Sequence, residues 1–85
     1  MKKVVIYTGP RCAHCEWAKA LLIKKKVIFE EHDIGENPEK REEMIKKSNG
    51  AKTVPQIFIG EYHVGGNTEL QALDRAGKLN SLLGI

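Results

Sequence analysis

The sequence predicts an α/β fold, with a mixed four-stranded sheet flanked by helices in the order β-α-β-α-β-β-α. Three observations carry that expectation. First, the apolar, β-branched run Lys3-Val4-Val5-Ile6-Tyr7 breaks at Gly9-Pro10, and helix-forming residues take over from Ala13. Second, Asn37-Pro38 opens a helix between two strand-like runs, and a helix is already predicted before the second strand. Such crossovers ask for parallel pairing of the first two strands. Third, Ile57-Phe58-Ile59 and Tyr62-His63-Val64 are separated only by Gly60-Glu61, the length of a tight hairpin turn.

Taken in order, residues 3–8 are apolar throughout, as a central strand covered on both faces should be. The first helix is expected over Ala13–Lys26, with Ala18, Leu21, Leu22 and the alkyl stem of Lys25 on its inner side. Trp17 falls on a stripe otherwise made of Ala and Lys, which places it at a rim. Residues 27–34 read as a second strand, apolar first and polar later. Asn37 as cap and Pro38 in the first turn then start a helix that runs to about Ser48 and closes at Asn49-Gly50. Met44 and Ile45 are its inward anchors, and Glu42 with Lys46 and Glu43 with Lys47 are spaced to pair on its exposed face. Pro55 stands at the start of the third strand, where a missing N–H is tolerated, and it pushes Val54 into an extended conformation that can pair with a peptide as an added strand. After Gly65-Gly66, Asn67 or Thr68 caps a helix through about Ala76, with Thr68 and Gln71 at capping-box spacing, and Gly77 ends it. The exposed N–H groups at that start are suited to a carboxylate. Leu79, Leu82 and Leu83 form a short tail packed on the body.

Composition narrows the function classes. Residues 1–85 suffice for a single domain that buries a core without staples, and a 41% hydrophobic content argues against disorder. No apolar run is long enough to span a membrane, and the stretch after Met1-Lys2-Lys3 is too short for a signal peptide. The net charge of +3 comes from 14 basic and 11 acidic residues that alternate along the helices, so nucleic acid is not an expected partner. Lys24-Lys25-Lys26 is the one basic run, expected as a solvated helix end that complements the dipole.

The chemistry lies in Cys12-Ala13-His14-Cys15, at the handover from strand to helix. Only a thiolate attacks a disulfide, and the first turn of a helix favours an anion. Arg11 adds a full positive charge next door. Three-residue spacing puts both sulfurs on one helical face, within reach of a disulfide. Cys12 is therefore the expected nucleophile and Cys15 the resolving thiol. Structural zinc would want four ligands, and beyond this pair only the isolated His32 and His63 and the enclosed His14 are on offer, so no metal is expected. Two cysteines at redox-active spacing point to the cytoplasm.

Ile6-Tyr7-Thr8, Cys12 to Cys15, Ala18-Lys19-Ala20-Leu21-Leu22, Lys40 to Ile45, Thr53 to Ile59 and Gly65-Gly66 together resemble the small bacterial glutaredoxins, over essentially the whole chain. The resemblance implies a thioredoxin-like fold and a cytoplasmic, monomeric enzyme. Such an enzyme reduces protein disulfides and glutathionylated proteins and is regenerated by glutathione as co-substrate. By position, Pro55 would be cis and hold Val54 beside the thiols, next to Thr53. Gly66, Asn67 and Thr68 would offer N–H groups to the γ-glutamyl carboxylate, and Glu69, where the family usually has Asp, would meet the amino group. Gln56 and Arg41 would reach the glycyl carboxylate. Gly9 replaces a common Lys or Arg, for which Arg11 would substitute. Ala13 and His14 replace the usual proline and aromatic residue. His14 would either lie over the ligand or, when protonated, stabilise the Cys12 thiolate and raise the reduction potential. Two alternatives follow from the same resemblance: a hydrogen donor reduced by thioredoxin reductase, and a dimer holding a [2Fe–2S] cluster through Cys12 and glutathione.

Overall fold

A computed structural model describes residues 1–85. The elements are β1 (Val4–Thr8), α1 (Ala13–Lys24), β2 (Phe29–Asp33), α2 (Pro38–Lys47), β3 (Gln56–Ile59), β4 (Tyr62–Gly65), α3 (Asn67–Arg75) and α4 (Leu79–Leu83). The sheet order is β2-β1-β3-β4. β1 runs parallel to β2, with Val4 opposite Phe29, and antiparallel to β3, with Ile6 opposite Ile57. The hairpin closes on the pair Ile59 and Tyr62, and the expected mixed sheet is formed.

Period-two alternation divides β1 between two apolar layers. Val4 and Ile6 join Ala18, Leu21, Leu22, Ile57, Ile59, Leu70, Leu79 and Leu83 on one side. Val5 and Tyr7 join Met44 and Phe58 on the other. All five residues of β1 are buried, as its apolar run implied. This fixes the end of β1, and therefore the Cys12 loop, against a rigid sheet.

The helix ends differ from the expected ones for physical reasons. α1 stops at Lys24 because Lys26 takes a left-handed conformation, φ 59°, and the Val27 N–H bonds back to the Leu22 carbonyl at 3.0 Å. This is a Schellman end, with the Lys26 N–H on Ile23 as its second bond. The strand that follows is correspondingly shorter, and Ile28 stays exposed while Val27 is buried. Lys25 is not a solvated cation: its Nζ lies 2.8 Å from Asp74 and 2.8 Å from Asn80, tying α1 to α3 and α4. Asn37 occupies the cap position of α2 without a side-chain bond. Asp33 organises that entry instead, its Oδ1 accepting from the N–H groups of Gly35 and Glu36. The ion pairs expected along α2 give way to the sheet: Glu43 binds the Tyr7 phenol and Lys40, and Lys47 lies 4.6 Å from the centre of the Phe58 ring. The leucine tail forms α4, an additional short helix with Leu79 and Leu83 buried.

Candidate active site

Cys12 is the N-cap of α1, in extended conformation (φ −114°, ψ 100°), and its Sγ accepts from the Cys15 N–H at 3.1 Å. The two cysteines are joined as a disulfide with Cα atoms 5.2 Å apart. Cys15 is wholly buried, whereas Cys12 keeps an exposed edge. A partner molecule therefore reaches the Cys12 sulfur and not the other. When the disulfide is reduced, the Cys15 N–H is already directed at the sulfur where negative charge on Cys12 develops, and the positive end of the helix favours that charge. Thr8, at the end of β1, donates its hydroxyl to Glu31 at 2.8 Å, and Lys19 bridges Glu16 and Glu31 at 3.0 and 3.1 Å. The Glu16 carboxylate, followed by Glu31, raises the Lys19 pKa above its ordinary value. These contacts fasten the first turns of α1 to the sheet.

The wall opposite Cys12 is the loop before β3. The Val54–Pro55 peptide bond is cis, and the Val54 carbonyl oxygen lies 3.8 Å from Cys12 Sγ. A Cβ on Gly9 would stand 3.2 Å from Val54 Cγ2, so the Gly9 backbone packs directly against the Val54 side chain. From Val54 a groove runs to the start of α3, lined by His14, Ala51, Thr53, Val54, Pro55, Gln56, His63, Gly65, Gly66, Asn67, Thr68 and Glu69.

Nine of the eleven residues expected around the dithiol thus share one groove, and two lie elsewhere. Arg41 is on the outer flank of α2, in a separate depression with Glu42, Ile45 and Lys46. Arg11 is exposed beside Cys12 with φ 53° but does not line the groove. Gln56 is buried, and its side chain is engaged: Nε2 donates to the Thr53 carbonyl at 3.0 Å and reaches the Thr53 hydroxyl at 3.3 Å. The cap of α3 is Gly66, neither Asn67 nor Thr68. Glu69, not Gln71, closes the capping box, its Oε1 accepting from the Gly66 N–H at 2.7 Å. Asn67 is buried, accepts from Gln71 at 3.1 Å, and places its amide nitrogen 3.3 Å from His14 Nδ1. His14 also meets Trp17 edge-to-face at 5.0 Å, and Trp17 is more than half exposed, at the rim. His63 and Ala51 belong to the groove and were not singled out as site residues from sequence. The only signal for His63 was its place in a short strand two residues before Gly65-Gly66.

The donor set bears on the iron–sulfur alternative. A [2Fe–2S] cluster takes four ligands, typically thiolates. Cys12 and Cys15 are the chain's two cysteines, and no three His, Cys, Asp or Glu side chains converge to hold a metal ion within the chain. The dimer alternative asks each chain for one thiolate, the other two coming from glutathione, and Cys12 is the one of the two cysteines with an exposed edge.

The glutaredoxin family model matches residues 4–64. The chain is 54% identical over 83 residues to Glutaredoxin 3 of Escherichia coli (strain K12), covering 98% of this chain and 99% of that protein. It is 53% identical over 83 residues to Glutaredoxin of Pseudomonas aeruginosa, covering 98% of each. The solution structure of glutaredoxin from Brucella melitensis superposes with a TM-score of 0.82 at 52% identity, covering 98% of this chain and 89% of that one.

Proposed function

The chain belongs to the glutaredoxin family of thiol oxidoreductases, and we propose that it is a glutathione-dependent enzyme reducing glutathionylated proteins and protein disulfides. One observation carries this reading: the only accessible cysteine sulfur sits at a helix mouth, 3.8 Å from the Val54 carbonyl, where a groove leads to the open start of α3.

With a glutathionylated protein, the Cys12 thiolate attacks the glutathione sulfur. A Cys12–glutathione disulfide forms, and the protein sulfur leaves as a thiolate that takes a proton from solvent. A second glutathione thiolate then attacks the glutathione sulfur of that intermediate, giving oxidised glutathione and restoring Cys12. With a protein disulfide, Cys12 forms a mixed disulfide with one protein sulfur and Cys15 displaces that sulfur. Both protein thiols are released, and the Cys12–Cys15 disulfide present in the structure results. Two glutathione molecules reduce it.

In this reading the extended Val54 backbone pairs with the cysteinyl part of glutathione. The ligand's γ-glutamyl carboxylate takes the N–H groups of Asn67 and Thr68, since Glu69 holds the Gly66 N–H. The Glu69 charge stays beside the ligand's amino group, and His14 covers the groove. Arg11 and Arg41 act as long-range cations that draw in an anionic peptide. We place the enzyme in the cytoplasm as a monomer.

The decisive assay supplies a glutathionylated peptide with glutathione, glutathione reductase and NADPH, against a parallel arm with thioredoxin reductase. Turnover only in the glutathione arm is expected. Turnover only with thioredoxin reductase would replace glutathione as the electron source.

A further inference from the structure

His63 lines the groove yet has no part in the chemistry above. Its Nε2 lies 2.6 Å from Gln56 Oε1. Which of the two is the donor follows from the next link. The Thr53 carbonyl can only accept, so the Gln56 atom 3.0 Å from it must be the NH2 group. Gln56 Oε1 therefore faces His63, and because an amide oxygen can only accept, His63 Nε2 carries a proton in either charge state of the ring. Gln56 is 5% exposed, so water does not substitute for this partner. The imidazole is held in turn by stacking on Phe58, with ring centres 4.8 Å apart.

The chain of bonds ends on a meaningful atom. The Thr53 carbonyl and the Val54 N–H belong to one peptide group, whose plane is rigid, and in a trans peptide the two point in opposite directions. Fixing that carbonyl on Gln56 turns the Val54 N–H the other way. We propose that His63 is a positioning residue: its Nε2–H clamps the Gln56 amide, Gln56 pins the Thr53 carbonyl, and the Val54 peptide is thereby pre-set to pair with the thiol substrate beside Cys12. The proposal rests on the glutathione-dependent reading for its kinetic consequence but not for its geometry. It also recasts Gln56 as part of the clamp, leaving the glycyl carboxylate to other groups.

Two variants separate the clamp from simple packing. His63→Phe keeps an aromatic ring for Phe58 and loses the donor. His63→Gln loses the ring and keeps an N–H in nearly the same place. Steady-state kinetics on a glutathionylated peptide should show the His63→Phe KM raised about tenfold with kcat within about twofold, while His63→Gln stays close to the parent. Equal KM values for the two variants, or a larger defect in His63→Gln with both folded by circular dichroism, would overturn the clamp. Nitrogen-15 NMR of the parent protein gives a readout that needs no substrate: the proton on neutral His63 is expected on Nε2. An Nδ1–H tautomer would refute the proposal even if the enzyme is active. An inactive parent enzyme with the Nε2–H tautomer would refute the glutathione reading and leave the clamp standing.

Discussion

At the scale of single residues, burial divides the labour between the two sulfurs. Cys15 is sealed beneath the first turn of α1, and Cys12 faces out with the Cys15 N–H directed at its sulfur. Brief reduction followed by limiting iodoacetamide at neutral pH should label Cys12 first, as peptide mass spectrometry will show; preferential labelling of Cys15 would reverse the assignment. Cys15→Ser should keep most activity on a glutathionylated peptide, because that route uses one thiol, and lose the reduction of protein disulfides. Cys12→Ser should lose both activities by several orders of magnitude. The pair was legible from spacing and setting alone. Gln56 was legible as a groove residue but its bonds were not, because the partners of a strand residue's amide are not plain in sequence, and here they are a backbone carbonyl and a histidine seven residues on.

Helices show what sequence reveals about an element and what it hides. α1, α2 and α3 all end in a left-handed residue followed by a bond back to the last turn: Lys26, Asn49 and Gly77, with φ of 59°, 57° and 73°. Asn49-Gly50 and Gly77 announce such ends, since both residue types tolerate that region. Lys26 does not, and the expected helix ran two residues too far. The packing of Val27 and the Lys25 bridge to Asp74 and Asn80 hold the chain there against its local preference. The start of α3 differs from the expected one for a related reason. Ser, Thr and Asn are the usual caps, so Asn67 and Thr68 drew the reading, whereas Gly66 caps through its backbone and Glu69 supplies the side-chain bond. Glu69→Ala should therefore cost about 0.5–1 kcal/mol in urea unfolding, and Glu69→Gln, which keeps an acceptor, clearly less. Equal stability of the two variants would show that the Gly66 bond contributes nothing.

For the molecule as a whole, the layer between the sheet and α2 is the thinner of the two. It contains four buried residues against twelve on the α1 side, so its polar contacts matter more to how firmly α2 is held. The central contact is the Tyr7 phenol donating to Glu43, with Lys40 on the same carboxylate. Tyr7's hydrogen bond, then Lys40, holds the Glu43 carboxyl below its ordinary 4.5, while burial, then Glu43, pushes the Tyr7 phenol well above its ordinary 10.0. The two shifts act at opposite ends of the pH scale. Glu43, depressed in the folded state, stabilises fully above pH 4.5, and that contribution disappears as pH falls through its folded value. Tyr7, raised, contributes below pH 10.0, and its share is lost as pH rises toward its folded value. Thermal melts of the oxidised protein should then show Glu43→Gln less stable by a few degrees on the plateau between, with the gap to the parent closing on acidification. Tyr7→Phe removes the donor and the titrating phenol together, so the parent's excess over it should shrink at both extremes. Glu43 remains substantially exposed, so salt weakens the Lys40 pair but not the hydrogen bond from buried Tyr7. Repeating the acid series in 1 M salt should leave most of the Glu43→Gln gap in place; its disappearance would mean that the surface ion pair, rather than the phenol, secures α2 to the sheet.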